Sequence, residues 1–388
     1  MGDAAVNFEF ASPTRVLFGE KRLHEVGGLV ASMGSRALVV EGGSGRAAPL
    51  VDLLRARGIV TTVMRVSGEP TTALVECGVE RARAERCDVV VALGGGSVID
   101  AGKAVAALLT NSASLHNYLE VVGEGRPLTE RSAPFIAIPT TAGTGAEVTR
   151  NAVLMVEEAR LKVSLRSPLM LPAVALIDPE LTYTLPPAVT ASTGLDALTQ
   201  CIEPFVTPHA NPLTDAVARE GMRHVASGLR RAYRDGGDVD ARRDMAVASL
   251  CGGLALANAK LGAVHGFAAP LGGMFPIPHG TACARLLVPV VEANVRALRA
   301  RAPGSQALGR YEEIARVLTG DANARAEDGI AWLEELIEAM AIPRLASYGV
   351  TDEDIPRVVD QARRASSMQG NPIALTDEEL AEALRAAL

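Results

Sequence analysis

Residues 88–109 read DVVVALGGGSVIDAGKAVAALL, and the order of features in this stretch decides the fold. A short apolar run rich in valine, bounded by glycine, is the pattern of a parallel strand buried on both faces. Gly94, Gly95 and Gly96 then make a tight turn, and Ser97 opens a segment, 98–109, that reads as a helix. A strand, a glycine turn and a helix N-terminus form an anion cradle. Glycines let the backbone approach a phosphate, and the free N–H groups with the helix dipole favour negative charge. The pattern is neither GxGxxG nor a Walker loop, because no GK[ST] follows. Asp100, in the first helical turn, would repel a pyrophosphate, so as a functional group it belongs beside a ribose or nicotinamide. Its plainer role is to stabilise the helix N-terminus.

The same texture extends to both sides. Candidate strands fall at 15–18, 37–40, 61–65, 135–139, 152–156 and 174–177, with helical patterns at 49–57 and 74–85 between them. Strand–helix alternation argues for a doubly wound α/β layer. After 135–139 comes a second polar loop, Thr140-Thr141-Ala142-Gly143-Thr144-Gly145-Ala146-Glu147-Val148-Thr149. Hydroxyls and glycines at the carboxyl end of a strand suit a nucleotide in the crevice of such a sheet. Together the two loops read as a dinucleotide site. Beyond Pro186-Pro187, a helix-entry signal, the chain reads as almost wholly helical, at 215–231, 241–257, 287–297, 307–318, 329–340, 352–365 and 377–388. The expected organisation is therefore an α/β dinucleotide-binding domain at 1–185 and an all-α domain at 186–388.

Composition removes other classes. The 388 residues are 48% hydrophobic and 21% charged, which rules out disorder. The net charge of −7, without a basic patch, argues against a nucleic-acid partner. No apolar run approaches the ~20 residues of a membrane span, and the first ten residues show no leader pattern. The five cysteines (Cys77, Cys87, Cys201, Cys251, Cys283) are scattered without a CxxC, suggesting neither a disulfide framework nor a zinc cluster. A reducing cytoplasm is the expectation.

One further group carries chemistry. Asp196 and Gln200 are four apart on the helix that opens after the Pro-Pro pair, so they share a face. His265 and His279, two of only six histidines, sit in the glycine-rich segments GAVHGF and IPHG. One carboxylate and two imidazoles suit Zn²⁺ or Fe²⁺ with a position left open for substrate. Each histidine taken singly fits a hydrogen-bonded core position.

With these residues in view, the sequence resembles the iron-containing (group III) alcohol dehydrogenase family. The motifs that carry the resemblance are FGE (18–20), GGGSVIDAGK (94–103), IPTTAGTGAEVT (138–149), DPELTYTLPP (178–187) and GLDALTQCIE (194–203). They continue with ANPLTD (210–215), GAVHGFAAPLGG (262–273), PHG (278–280) and NPIALT (371–376). The resemblance implies a dehydroquinate-synthase-like fold, with a nicotinamide cofactor and a metal in the cleft between two domains, and a homodimer or higher homo-oligomer. It places Gly95, Gly96 and Ser97 on the diphosphate. Asp100, Thr140, Thr141, Thr144, Thr149, Lys162 and Leu181 would line the rest of the cofactor. The metal positions fall on Asp196, Gln200, His265 and His279, and the two histidines are the candidate catalytic residues.

Two positions depart from the family pattern: Gln200 stands where a histidine is usual, and Ala269 replaces a second histidine near the substrate. An amide oxygen is a weaker and harder ligand than imidazole. Either three good ligands and one poor one hold Fe²⁺ or Zn²⁺, or the site polarises a carbonyl by hydrogen bonds alone. With Ala269 unable to transfer a proton, water or a ribose hydroxyl must serve. Cofactor choice turns on the end of the second strand, Glu41-Gly42-Gly43-Ser44-Gly45-Arg46. The family's NAD-selecting aspartate aligns with Gly42, leaving room for a 2′-phosphate that Arg46 could pair with. The segment tips the choice from NAD toward NADP. The expected activity is an NAD(P)-dependent alcohol dehydrogenase or aldehyde reductase acting on a small, neutral alcohol or aldehyde. Maleylacetate- and phosphonoacetaldehyde-type reductases are the alternatives within the class. A dehydroquinate-synthase-like lyase and a non-catalytic nucleotide binder are the alternatives outside it.

Overall fold

The computed structural model describes residues 7–159 and 161–388, so six of the ten residues read for a leader lie outside the described residues. The chain forms two compact units, one of Ser12–Thr184 and one of Leu185–Leu388 together with the stretch ending at Ala11. Residues 7–11 thus go with the helical unit rather than the α/β unit in which the sequence places them. Asn258 ties this stretch down by donating from Nδ2 to the Ala11 carbonyl at 2.8 Å.

The first unit is built on β1 (Arg15–Phe18), β2 (Arg36–Gly42), β3 (Val60–Val66), β4 (Val89–Gly94), β5 (Phe135–Pro139) and β8 (Val174–Ile177). These pair in parallel in the order β1-β8-β5-β4-β2-β3. Alternate side chains feed two cores. Leu38, Val40, Val90 and Ala92 face one, and Ala37, Val39, Val89 and Val91 face the other. Two buried faces explain why these strands are uninterrupted apolar runs. Helices α1 (Val26–Ala31), α2 (Ala48–Arg55), α3 (Thr72–Ala84), α4 (Gly96–Thr110) and α5 (Leu115–Tyr118) complete the unit. One sequence expectation is corrected. The segment at 152–156 does not join the parallel sheet. As β6 (Asn151–Val156) it pairs antiparallel with β7 (Leu161–Arg166) in a separate two-stranded ribbon.

The second unit begins with α6 (Pro187–Val206), with Pro187 in its first turn. It continues through α7 (Pro212–Arg234), α8 (Val239–Asn258), α9 (Ala263–Met274), α10 (His279–Arg301), α11 (Gln306–Thr319), α12 (Ala326–Ala339), α13 (Ile355–Arg364) and α14 (Asp377–Ala386). Asn211 caps α7 in a capping box with Thr214, which fixes its start. No single helix among the described residues is long and apolar enough to cross a membrane.

Candidate active site

In the α/β unit, β4 delivers the chain to the N-terminus of α4. Gly94 ends the strand, and a Cβ there would lie 2.5 Å from Val98, so no larger residue fits. Gly95 caps α4 with extended backbone, and the first N–H groups of a helix have no partner within it. Thr140 at the end of β5 donates its backbone N–H to the Gly94 carbonyl at 2.9 Å, bringing the threonine loop beside the glycine turn. A Cβ on Gly95 would lie 3.5 Å from Thr141, and one on Gly96 would lie 2.8 Å from Thr144. The glycines are therefore the floor, and the threonines the wall, of one cradle. Gly145 adopts φ +59°, the left-handed region that glycine occupies without strain.

Behind this cradle lies a buried charged cluster. Lys103 is 1% exposed. Its ammonium donates to Thr149 Oγ1 at 2.8 Å and the Asn151 carbonyl at 2.6 Å, and lies 3.4 Å from Asp100 Oδ1. Asp100 Oδ2 accepts from the Val153 N–H at 3.0 Å, joining α4 to β6. Burial raises the Asp100 carboxyl despite Lys103, and burial likewise lowers the Lys103 ammonium. Glu147, 2% exposed, is pushed up to about 7, because burial outweighs its own backbone N–H and the Lys103 charge.

In the helical unit, α6 presents Asp196, Gln200 and Glu203 at i, i+4 and i+7, along one stripe. All three are buried. His265 lies in the first turn of α9. Glu203 organises that turn: its Oε1 accepts from the Val264 N–H at 2.7 Å, and its Oε2 lies 2.6 Å from His265 Nδ1. Asn371 Oδ1 takes the neighbouring Ala263 N–H at 3.1 Å. With Nδ1 engaged by a carboxylate, the lone pair of His265 is presented at Nε2, the orientation a metal-bound histidine needs. Nε2 lies 3.4 Å from Asp196 Oδ1. His279, the first residue of α10, places its Nε2 3.8 Å from the same oxygen and 3.7 Å from Cys283 Sγ, one turn further along α10.

These atoms converge without satisfying one another. Asp196 Oδ1, Gln200 Oε1 and His265 Nε2 are buried and have no hydrogen-bond partner. Leaving such groups unpaired is costly, and the donor atoms of Asp196, His265, His279 and Cys283, all within 4.8 Å of one another, fit a bound cation. Electrostatics agree. Burial would raise the Asp196 carboxyl, yet the rings of His279 and His265 hold it below the usual carboxylate range. Burial would lower His265, but Cys283, Glu203 and Asp196 together carry it well above the usual imidazole value. Cys283 and Asp196 raise His279 to about 8. These acidic neighbours favour positive charge at the two imidazoles, and a bound divalent ion would supply it in place of the ring protons. Donor types and charge thus fit a divalent metal.

Comparison with known proteins agrees with this geometry. Residues 13–179 match the model of the iron-containing alcohol dehydrogenases, and residues 190–388 match the C-terminal model of the Fe-containing alcohol dehydrogenase family. The chain belongs to the iron-containing alcohol dehydrogenase family. It is 35% identical to a choline dehydrogenase of Bacillus subtilis, over 95% of this chain and 92% of that one. It is 36% identical to alcohol dehydrogenase 4 of Saccharomyces cerevisiae, over 97% and 98%. The crystal structure of a 1,3-propanediol oxidoreductase superposes with a TM-score of 0.91 at 34% identity, covering 98% of this chain and 100% of that one. As an iron-containing alcohol dehydrogenase, the chain is an oxidoreductase that interconverts alcohols and carbonyl compounds with a nicotinamide cofactor, on the two-part fold described above.

Of the cofactor positions read from sequence, Gly95, Gly96, Ser97, Thr140, Thr141 and Thr144 come together at the α4 N-terminus. Asp100 lies one turn further along α4, and Gly42 lies at the end of the neighbouring β2. Thr149 sits deeper: it is 4% exposed, and its hydroxyl accepts from Lys103 and donates to the Ala146 carbonyl. Lys162 lies on β7 and pairs with Glu69 at 2.8 Å. Leu181 packs against one of the two cores. Asp196, His265 and His279 converge in the helical unit, and Gln200 lies one turn after Asp196 on α6 with its Oε1 unpartnered. Sequence reasoning missed Glu203 and Cys283, although both lie within a turn of a residue it singled out.

Proposed function

We propose that the α4 N-terminus binds the diphosphate of NADPH and that Asp196, Gln200, His265 and His279 hold a divalent metal at which the substrate oxygen is activated. The observation that carries this reading is the gathering of the Asp196, His265 and His279 donor atoms within 4.8 Å of one another, with Asp196 Oδ1, His265 Nε2 and the Oε1 of Gln200, one turn along α6, buried and unpartnered. A divalent ion held there supplies Lewis acidity to the oxygen of an alcohol or aldehyde. Glu203 keeps His265 in the tautomer that presents Nε2, and the low-lying carboxyl of Asp196 remains ionised. Gly95, Gly96 and Ser97 bind the diphosphate, and Thr141 and Thr144 orient the remainder of the cofactor. Ala269, one turn after His265 on α9, carries no proton to give. The proton on the substrate oxygen therefore passes through water or a ribose hydroxyl.

The preference for NADPH rests on β2. Glu41 is 4% exposed and both its oxygens are engaged, one by Arg65 Nε at 2.9 Å and the other by the Ala47 N–H at 3.0 Å. It is not free to grip a ribose 2′-hydroxyl, and Gly42 has no side chain to do so. Arg46 donates to Thr184 Oγ1 at 3.1 Å. Arg65, with its side chain 70% exposed and an Nη2 3.6 Å from where a Gly45 Cβ would be, is the better-placed cation for a 2′-phosphate. Residues 266–269, which directly follow His265, are uncharged and apolar, which suits a neutral aldehyde.

The test is oxidation of NADPH and NADH with a panel of small aldehydes, using protein stripped with a chelator and then reloaded with Zn²⁺, Fe²⁺ or Mn²⁺. Activity that vanishes on stripping, returns with a metal and is faster with NADPH is the expected result. Full activity in verified metal-free protein defeats the metal reading, and a higher kcat/KM with NADH defeats the cofactor reading.

A further inference from the structure

We infer that Cys283 is a protein ligand of the metal, so that its sulfur takes the place an imidazole would fill at Gln200. The inference rests on the metal reading above and deepens it. Among the described residues, one group of metal-capable side chains has its donor atoms within 4.8 Å of one another, and it consists of Asp196, His265, His279 and Cys283. Cys283 is fully buried. It follows His279 by four residues on α10, so the two share a face of that helix, with its sulfur 3.7 Å from His279 Nε2.

The separations match what one small ion requires. Tetrahedral zinc sites have Zn–N near ~2.05 Å and Zn–S near ~2.3 Å, which puts neighbouring N or O donors ~3.3 Å apart and sulfur ~3.6 Å from nitrogen. The structure has Asp196 Oδ1 3.4 Å from His265 Nε2 and His279 Nε2 3.7 Å from Cys283 Sγ. Asp196 Oδ1 to His279 Nε2 is slightly longer, at 3.8 Å.

Ligand chemistry points the same way. Gln200 offers a neutral, hard oxygen, whereas a thiolate is anionic and soft. A metal-bound thiolate beside the Asp196 carboxylate gives the donor set two negative charges, which one divalent ion neutralises. A buried cysteine could otherwise serve as a small apolar filler, but a filler does not explain why its sulfur lies within 4.8 Å of the Asp196, His265 and His279 donor atoms, two of which, Asp196 Oδ1 and His265 Nε2, are buried and unpaired. Sulfur in the set shifts the preferred metal toward Zn²⁺ and away from Fe²⁺.

Cobalt substitution of the full-length protein tests this without any turnover. Chelator-stripped protein is titrated with Co²⁺, bound metal is counted by elemental analysis, and the near-ultraviolet thiolate-to-cobalt charge-transfer band is recorded. Expected are one equivalent of Co²⁺, a band in the wild type, its loss in Cys283→Ser and its retention in Gln200→Ala. Metal affinity should fall at least ~10-fold in Cys283→Ser, the lower end of what even outer contacts to a metal ligand contribute. One equivalent of cobalt without the band in the wild type overturns the role of Cys283 while leaving the metal centre in place. A band that survives Cys283→Ser does the same. Failure of the wild type to bind cobalt overturns both readings. The wild-type spectrum decides the matter even if a variant does not fold.

Discussion

At the scale of single residues, burial sets the chemistry more strongly than residue type. Glu147 illustrates it. It sits in a hydroxyl-rich loop, where the structure buries it, and burial raises its pKa from 4.5 to about 7. A carboxyl with a raised folded pKa binds more protons in the native state than in the unfolded one between those two values. Its contribution to stability therefore falls as pH rises through the window from 4.5 to about 7. From pH 5 to pH 8 the loss amounts to about 2–3 kcal/mol. In Glu147→Gln this loss should disappear. Urea-unfolding midpoints at the two pH values, compared between wild type and variant, read it as a double difference. Equal pH dependence in both proteins would show that Glu147 is ionised in the native state at an ordinary pKa.

At the scale of elements, legibility followed the strength of the local pattern. Strands β2, β4 and β5 were evident because both faces are buried and each is one apolar run. β7, LKVSLR, was missed because polar residues interrupt it and it lies outside the main sheet. α9 was missed as a helix for a different reason. It contains Pro270 and three glycines, poor helix formers, and its first turn is held from outside by Glu203 and Asn371. The start of α10 was read eight residues late, at Leu287 instead of His279. That error hid the i, i+4 relation between His279 and Cys283, so the cysteine passed as one of five scattered thiols. The glycine turn, in contrast, was read correctly as a tight turn, and its packing makes a prediction. Gly96→Ala would force a Cβ to within 2.8 Å of Thr144, so the threonine wall must move. The expected result is weaker NADPH binding, by roughly 10-fold for a cost near ~1.4 kcal/mol, with metal binding unchanged. Fluorescence titration with NADPH measures it, and wild-type affinity in the variant would remove the cradle from the diphosphate site.

At the scale of the whole molecule, the proposed chemistry divides between the two units. The glycine cradle uses residues from 94 to 145, and the donor cluster uses residues from 196 to 283. In the sequence the change of texture at Pro186-Pro187 separates a strand-and-helix half from an almost wholly helical one. The donor cluster as a whole was less readable, because its members come from three helices and meet only through packing. If the cluster holds the ion, metal binding is linked to the folding of the helical unit alone, since a ligand that binds only the native state stabilises it by RT ln(1 + [L]/Kd). At a hundredfold excess over Kd this is about 2.7 kcal/mol. Stripping the metal should therefore speed amide hydrogen exchange in α6, α9 and α10, which it no longer ties together, while β2, β3 and α2 keep their protection. Adding Zn²⁺ should restore the slow pattern in those three helices, and adding NADPH to metal-free protein should instead slow β4, α4 and the threonine loop. Mass spectrometry of peptic peptides resolves these segments. Zinc-dependent protection that appears in the α/β unit and not in α6, α9 and α10 would put the metal somewhere other than Asp196, His265 and His279.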